Sequence, residues 1–241
     1  MSAHWKTYPT VEATAEACAV HVVSVLEAAL QGGSEVTLAV SGGSSPKPMF
    51  AHLARSGMDW SKIHLFWVDE RGVPPTHADS NYRMTEEFLI RPARIPHRNV
   101  HRVRAELAPE VAAKHYEAEI REFFGVEPGE LPHFDLIHLG VGPDAHTASL
   151  FPGEPLIEDR EKLVSAVWVE KMKQWRITLL PGVLLSARHA AVLVCGSDKS
   201  DAMRKVLRDP YDPLHYPAQI VAHHSRRASW FLDEAAAAEL A

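Results

Sequence analysis

The feature that most constrains the fold is a regular alternation of short apolar runs with segments of helical periodicity. The apolar, β-prone runs are residues 35–40, 63–68, 134–139 and 190–195. Between them, apolar residues recur at helical spacing, most clearly at 11–30 and 109–124. Strands that alternate with helices usually pair in parallel. The pattern therefore predicts an α/β fold, with one domain over residues 1–241, a doubly wound, mainly parallel sheet, and helices on both faces.

Composition agrees with a soluble globular domain. The 241 residues are 46% hydrophobic and 23% charged, which is enough to bury a full core. The net charge of −6 provides no basic surface, so nucleic acid is not an expected partner. A small anionic ligand remains compatible, because local cations can dominate a pocket on an acidic protein.

The cysteines and the N-terminal sequence bear on the compartment. Cys18 and Cys195 lie in apolar contexts, which predicts buried thiols in a reducing compartment and no disulfide. The N-terminal sequence lacks a basic region followed by an apolar run, and residues 19–30 are interrupted by His21 and Glu27. We therefore expect a cytoplasmic protein with neither a signal peptide nor a membrane span.

The stretch GVGPDAHTASLFP, residues 140–152, follows the apolar run 134–139 and places Asp144 and His146 within three residues. Loops at the carboxyl ends of strands are where open α/β sheets bind ligands, so this loop is a candidate site. Residues 147–151 are expected to begin a helix, with Asp144 or Thr147 as its cap.

Other interpretations of this loop are weaker or remain open. Residues 140–145 fit a relaxed dinucleotide-binding fingerprint, but they lie past mid-chain, and Asp144 would put a negative charge where a pyrophosphate should lie. Asp144 and His146 could ligate a metal, yet no second group has a zinc-like spacing, so no metal is predicted. Asp144 as a helix cap, with His146 as a hydrogen-bonded loop residue, remains an alternative.

Further polar loops follow other predicted strands. The loop SGGSSP, residues 41–46, could cradle an anion with backbone N–H groups at a helix start, or it could be an ordinary turn. After the run 63–68, Arg71 offers a fork suited to phosphate or carboxylate. Lys199 lies at a predicted helix start, where a cation is unfavourable unless something anionic is near.

Four segments together resemble the motif set of 6-phosphogluconolactonases. They are SGGSSP (41–46), DERxVP with Ser80-Asn81 (69–81), GxGxDxHTASLFP (140–152), and Arg176-Ile-Thr178 with Gly196-x-x-Lys199. They occur in the family's order and cover most of the chain, from about residue 35 to 200. One departure is Ala145, where the family usually has glycine. If that position needs a positive φ, alanine adds about 1 kcal/mol of strain.

The resemblance implies a Rossmann-like fold and hydrolysis of 6-phospho-D-glucono-1,5-lactone to 6-phosphogluconate, with no cofactor. His146 would be the base that activates water, and Asp144 would hold the loop or orient the base or the substrate. Asp69 is a second candidate carboxylate. The expected substrate contacts are Ser41, Gly42, Gly43, Ser44, Asp69, Arg71, Asn81, Arg176 and Lys199. The only expected partner is this sugar-phosphate lactone, and the expected state is a monomer or small homo-oligomer.

Two alternatives belong to other functional classes. Glucosamine-6-phosphate deaminase/isomerases share the fold and an Asp-x-His loop, but they carry a glutamate of the ring-opening machinery where this chain has Phe151. A non-catalytic sugar-phosphate sensor would need a DNA-binding module. About thirty residues precede the first predicted strand, which leaves no room for one, and the chain keeps His146.

Overall fold

The computed structural model describes residues 4–33 and 35–240. Its strands are β1 (His4–Tyr8), β2 (Val36–Val40), β3 (Ile63–Trp67), β4 (Asp69–Arg71), β5 (Val100–His101), β6 (Leu136–Leu139), β7 (Val164–Val169), β8 (Gln174–Leu179), β9 (Ala190–Val194) and β10 (Ala228–Asp233). Its α-helices are α1 (Val11–Leu30), α2 (Pro46–Ala54), α3 (Asn81–Thr85), α4 (Arg91–Ala93), α5 (Pro109–Phe124), α6 (Pro181–Ser186), α7 (Ser200–Leu207) and α8 (Gln219–His224). A π-helical segment, Glu86–Ile90, joins α3 to α4.

Seven strands form a sheet in the order β1-β10-β9-β6-β2-β3-β5, and every neighbouring pair is parallel. This confirms the predicted fold class. From β2 the chain builds outward through β3 and β5, whereas from β6 it builds the other way through β9 and β10. The order therefore reverses between β2 and β6, and the loops that follow these two strands meet at the carboxyl edge, where such folds bind ligands.

The central strands are buried along their whole length. Every residue of β2, β3, β6 and β9 is buried, as expected for parallel strands covered on both faces. Helix α1 is long and apolar enough to cross a membrane. In the fold it packs one face against the sheet, burying Ala15, Cys18, Val22 and Leu26 completely. It therefore serves as a core helix in this structure.

A second sheet is antiparallel, in the order β4-β8-β7. The sequence has strand character at residues 163–169, which is confirmed by β7, but it does not predict the pairing of this sheet. The apolar stretch that follows residues 176–178 in the sequence predicts a helix directly after them, but these residues belong to β8, and the helix that follows is the short α6. Strands β4 and β8, which pair in this sheet, lie about a hundred residues apart along the chain. Local periodicity carries no information about such a pairing. The Leu179 N–H donates to the Val68 carbonyl at 2.8 Å and so links this sheet to the end of β3.

Within the described residues, the segments near both ends of the chain are more ordered than the sequence predicts. Strand β1, which was not predicted, pairs in parallel with β10 at the edge of the large sheet. The Ala-rich sequence after Asp233 predicts a frayed tail, but Ala236 and Leu240 are buried. The Asp233 carboxylate accepts hydrogen bonds from the N–H groups of Gly196 and Ala236, at 3.0 and 2.7 Å. The expectation of a frayed tail is therefore wrong.

Tyr116, on α5, makes side-chain hydrogen bonds to the backbone at the end of β3. Its hydroxyl accepts from the Trp67 N–H and donates to the Trp67 carbonyl, both at 2.8 Å. Strand β5 pairs with β3 only at Leu65 and Phe66, so this hydroxyl takes the place of a strand partner at Trp67. Tyr116 is 1% exposed, and water does not compete for the contact.

We predict that Tyr116→Phe lowers the free energy of unfolding by roughly 1–3 kcal/mol, because it leaves two buried backbone groups without a partner. Chemical denaturation of both proteins measures the difference. The control is Tyr8→Phe, which removes a hydroxyl from the half-buried edge strand β1 and should change stability by less than about 0.5 kcal/mol. Equal effects of the two substitutions would contradict the role of the Tyr116 hydroxyl.

Candidate active site

A pocket of about 230 Å³ opens at the carboxyl edge of the large sheet, where the strand order reverses. Its lining includes Ser41, Gly42, Gly43, Ser44, Asp69, Arg71, Asn81, His146, Arg176 and Lys199. These are all of the predicted site residues except Asp144, which lies just outside the lining. The structure thus brings together side chains that span residues 41 to 199 of the chain.

The loop after β6 is shaped to present His146. The Gly142 N–H donates to the His146 carbonyl at 2.8 Å, and the Ala145 N–H donates to the Gly142 carbonyl at 2.9 Å. A Cβ atom on residue 142 would lie 1.9 Å from His146 Nδ1. Glycine is therefore required at this position if the imidazole is to occupy its place.

The predicted helix over 147–151 does not form. Ala148 has a φ of +52°, which interrupts any helical turn, and Thr147 forms an isolated bridge with Leu150. The Thr147 hydroxyl donates to the Gly140 carbonyl at 2.9 Å and does not cap a helix. The loop closes back on its own strand, so these local hydrogen bonds replace the helical ones.

His146 and Asp144 form a hydrogen-bonded pair. The distance from His146 Nδ1 to Asp144 Oδ1 is 2.5 Å, and the His146 side chain is 21% exposed. Because a carboxylate can only accept, Nδ1 carries the proton, and Nε2 keeps its lone pair. Burial, the largest influence, lowers the pKa of His146 to about 4, with smaller contributions in the same direction from Lys199, Arg176 and Arg71. Asp69 opposes them. The imidazole is neutral near pH 7.

Two further contacts around this pair were not predicted from the sequence. Lys171, in the turn between β7 and β8, forms an ion pair with Asp144 Oδ2. The ring of Phe151 lies against His146, with centroids 4.3 Å apart. Residues 171–174 look like an unremarkable polar turn in the sequence. Only the folding of this hairpin over the β6 loop reveals the contact with Asp144.

The loop after β2 offers backbone donors to the pocket. Within residues 4–33 and 35–240, the N–H groups of Gly42, Gly43 and Ser44 have no hydrogen-bond acceptor. Gly43 has a φ of +107°, and a Cβ on Gly42 would lie 1.7 Å from Asn81 Oδ1. Both glycines are therefore required, one for the turn and one for close contact with Asn81. The arrangement favours the anion cradle over the plain turn.

Two arginines face each other in the small sheet. Arg71 on β4 is directly opposite Arg176 on β8, and both line the pocket. Like charges in this position repel each other, and burial lowers the pKa of Arg176. In the described part of the chain, Nε of each guanidinium is buried without a hydrogen-bond partner. The Lys199 ammonium lines the same pocket and pairs with Asp198 at 3.0 Å. Three cationic side chains in one pocket favour the binding of an anion there.

Glu70 organises the loop that carries Arg71 and Asn81. The Glu70 carboxylate accepts from the N–H groups of Arg71, Asn81 and Tyr82 at 2.7, 2.7 and 2.8 Å, and from the Ser80 hydroxyl at 3.1 Å. Its side chain points to the opposite face of β4 from Arg71. Burial raises the pKa of Glu70, although the three N–H donors act the other way. Its role is to hold the loop, and the sequence did not indicate this.

Asp69 and two other polar residues complete the lining. Asp69 Oδ2 accepts from the Ser149 hydroxyl at 2.7 Å, and the Asp69 carbonyl accepts from Asn81 Nδ2 at 2.9 Å. His138, on β6, is a buried histidine that the sequence prediction missed. Its Nδ1 lies 3.4 Å from the Ser41 N–H, and burial lowers its pKa to about 3. His138 therefore acts as a neutral acceptor next to the loop after β2.

Comparison with known proteins identifies the family. Residues 9–230 match the family model of glucosamine-6-phosphate isomerases/6-phosphogluconolactonase. The chain belongs to this family. The 6-phosphogluconolactonase of Synechocystis sp. is 38% identical to it over 226 residues, 93% of each chain, and that of Nostoc sp. is 37% identical over 220 residues, 91% of this chain and 90% of the relative. The solved structure of 6-phosphogluconolactonase from Trypanosoma cruzi superposes with a TM-score of 0.89 and 26% identity, covering 100% of this chain and 98% of that one.

The resemblance to 6-phosphogluconolactonases led us to expect strain at Ala145 if its backbone needs a positive φ. Its φ is +64°, in the left-handed region, and the side chain is 1% exposed. An L-residue in this conformation is strained by about 1 kcal/mol relative to glycine. The hydrogen bonds of the loop, including one from the Ala218 N–H to the Ala145 carbonyl at 2.9 Å, hold it there.

We predict that Ala145→Gly raises the free energy of unfolding by up to about 1 kcal/mol, because glycine relieves the strain. Denaturant titration measures the change. The matched control is Ala19→Gly, a buried helical position in α1 where glycine should lower stability by about 1 kcal/mol. If Ala145→Gly lowers the free energy of unfolding as much as Ala19→Gly does, Ala145 is not strained.

Proposed function

We propose that this chain is a 6-phosphogluconolactonase, which hydrolyses 6-phospho-D-glucono-1,5-lactone to 6-phosphogluconate in the oxidative pentose phosphate pathway. The observation that carries the proposal is one pocket that combines a neutral histidine, hydrogen-bonded to a carboxylate, with two opposed arginines. The histidine can act as the base, and the two arginines can bind a phosphate group. The family and its lactonase relatives support the same substrate.

The phosphate of the substrate would bind among the cations. An anion between Arg71 and Arg176 removes their mutual repulsion and gives their guanidinium groups acceptors. Lys199 adds a third positive charge to the same pocket. Sugar hydroxyls would then reach Asn81, whose Oδ1 is buried with no partner among the described residues.

Hydrolysis begins with attack of water on the lactone carbonyl carbon. His146 Nε2 takes a proton from this water as the new C–O bond forms, and the Asp144 carboxylate stabilises the imidazolium through Nδ1–H. The carbonyl oxygen becomes an oxyanion, which needs hydrogen-bond donors. The Gly142 N–H already donates within its own loop, so we assign this role to the free N–H groups of the loop after β2.

Ring opening completes the reaction. The tetrahedral intermediate collapses, the bond between the carbonyl carbon and the ring oxygen breaks, and the imidazolium returns its proton to that oxygen. One water is consumed, and the product carries a carboxyl group and a new hydroxyl. His146 ends as the neutral imidazole with which it began, so the cycle needs no other reactant.

The deaminase alternative finds less support in this pocket. The side chain at residue 151 is an apolar ring stacked on His146, so it offers no ionisable group for ring opening. We propose that the protein is located in the cytoplasm, because its two cysteines are buried and form no disulfide. A monomer or small homo-oligomer remains a prediction.

We predict that His146→Ala reduces kcat roughly 100- to 10,000-fold, because it removes the base and leaves the phosphate-binding residues in place. NMR of freshly made lactone measures the rate, with an enzyme-free sample to subtract spontaneous opening. Calorimetry with 6-phosphogluconate checks that binding survives.

The matched control is His215→Ala, which breaks another Asp–His pair, with a distance of 2.7 Å to Asp212, on an exposed surface. Its rate should equal that of the unaltered protein. If the His146 variant stays active, the base is another group. If the unaltered protein does not accelerate hydrolysis, the lactonase proposal fails, and glucosamine-6-phosphate becomes the next substrate to assay.

We predict that kcat/KM is flat from pH 8 to about 5 and falls below that, because only the neutral imidazole accepts a proton and its pKa is lowered to about 4. Asp144→Asn removes the carboxylate that favours the charged imidazole. It should lower kcat roughly 10- to 100-fold and move the acid limb to lower pH. An acid limb at or above pH 6.5 in the unaltered protein would contradict the assignment of His146.

A further inference from the structure

Lys171 is the charged residue nearest the Asp144–His146 pair that the proposed reaction leaves unused. It lies in the turn Glu170–Met172 between β7 and β8, and its side chain is 49% exposed. Its ammonium forms an ion pair with Asp144 Oδ2, while Asp144 Oδ1 accepts from His146 Nδ1. The carboxylate is thus shared between the imidazole and a lysine from a distant hairpin.

Phe151 fixes the position of this lysine. The Lys171 ammonium lies 4.6 Å from the centre of the Phe151 ring, a cation–π contact, and the same ring packs on His146. The aromatic ring therefore contacts both the lysine and the histidine. Two independent contacts, with the carboxylate and with the ring, direct Lys171 to this place.

Asp144 does not depend on Lys171 for its own position. Its Oδ1 also accepts from the His146 backbone N–H at 3.3 Å, within the tight loop fixed by Gly142. Removing the lysine should leave the carboxylate in contact with the imidazole. The main consequence of Lys171 is then electrostatic: it offsets part of the negative charge that Asp144 presents to His146.

We propose that Lys171 acts on the reaction through Asp144, as a hairpin cation that keeps His146 unprotonated at acidic pH. The inference rests on the proposed lactonase function, in which His146 is the base. The turn between β7 and β8 is thereby part of the active site, although Lys171 itself is not among the residues that line the pocket.

Several other charges face His146 and set the background for this effect. Asp69, on β4, favours the imidazolium, whereas Lys199, Arg176 and Arg71 oppose it. These residues belong to β4, β8 and the loop before α7, and they remain in place when Lys171 is replaced. A change in the titration of His146 after that replacement therefore reports the hairpin lysine alone.

The test is a charge series at residue 171. Lys171→Arg should leave the pKa of His146 unchanged, Lys171→Met should raise it by roughly half a unit to one unit, and Lys171→Glu should raise it further. NMR titration of the His146 ring in the free protein measures the pKa directly. The acid limb of kcat/KM should move up in the same order. At the midpoint of the unaltered protein's acid limb, Lys171→Met should have about 2- to 6-fold less activity than the unaltered protein.

The matched control is Lys173→Met, on the same hairpin, because Lys173 pairs with Glu170 and not with Asp144. It should move neither the titration nor the acid limb. The proposal is overturned if His146 titrates identically throughout the series, or if Lys173→Met shifts it as much as Lys171→Met does. If the unaltered protein does not hydrolyse the lactone, the proposed function fails, while the ring titration still tests the contact.

Discussion

The pairing of β2 with β6 is the constraint on which the site depends. Leu38 and Ala39 pair in parallel with Leu136 and Ile137, and this is where the strand order reverses. A side-chain clamp reinforces the junction: the Asp135 carboxylate accepts from the Thr37 N–H and hydroxyl at 2.9 and 3.0 Å. Because neither crossover connection passes over the loops that leave these strands, the anion cradle and the His146 loop can share one pocket.

Within that pocket, burial strengthens the electrostatic interactions between charged side chains. The Arg71–Arg176 opposition costs free energy in the unliganded protein and becomes favourable only when an anion lies between them. Buried Glu70 keeps the loop of Arg71 in place on the other face of β4. Such a site is less stable without its ligand but already arranged for binding. The positive φ values at Ala145 and Ala148, in the adjoining loop, are a further source of strain near the pocket.

The small antiparallel sheet links these features. Strand β4 carries Asp69 and Arg71, β8 carries Arg176 and Thr178, and the turn before β8 carries Lys171. One hairpin therefore delivers both a ligand for the anion and a partner for Asp144. The Thr178 hydroxyl accepts from the Ser149 N–H at 3.1 Å, which fixes the hairpin against the His146 loop. Displacement of the hairpin would thus disturb binding and proton transfer together.

The sequence by itself determined the α/β class, the central strands and most of the polar residues at their carboxyl ends. These properties follow from periodicity, glycine placement and residue chemistry, all of which are local. It did not determine the small sheet, strand β1, the ordered tail, or the contacts of Glu70, His138 and Lys171. Each of these depends on pairing or packing between distant segments, and the helix expected after His146 was lost to hydrogen bonds within its loop. Tertiary structure alone decided which charges face one another, because electrostatic partners are set by distance in space and not by spacing along the chain.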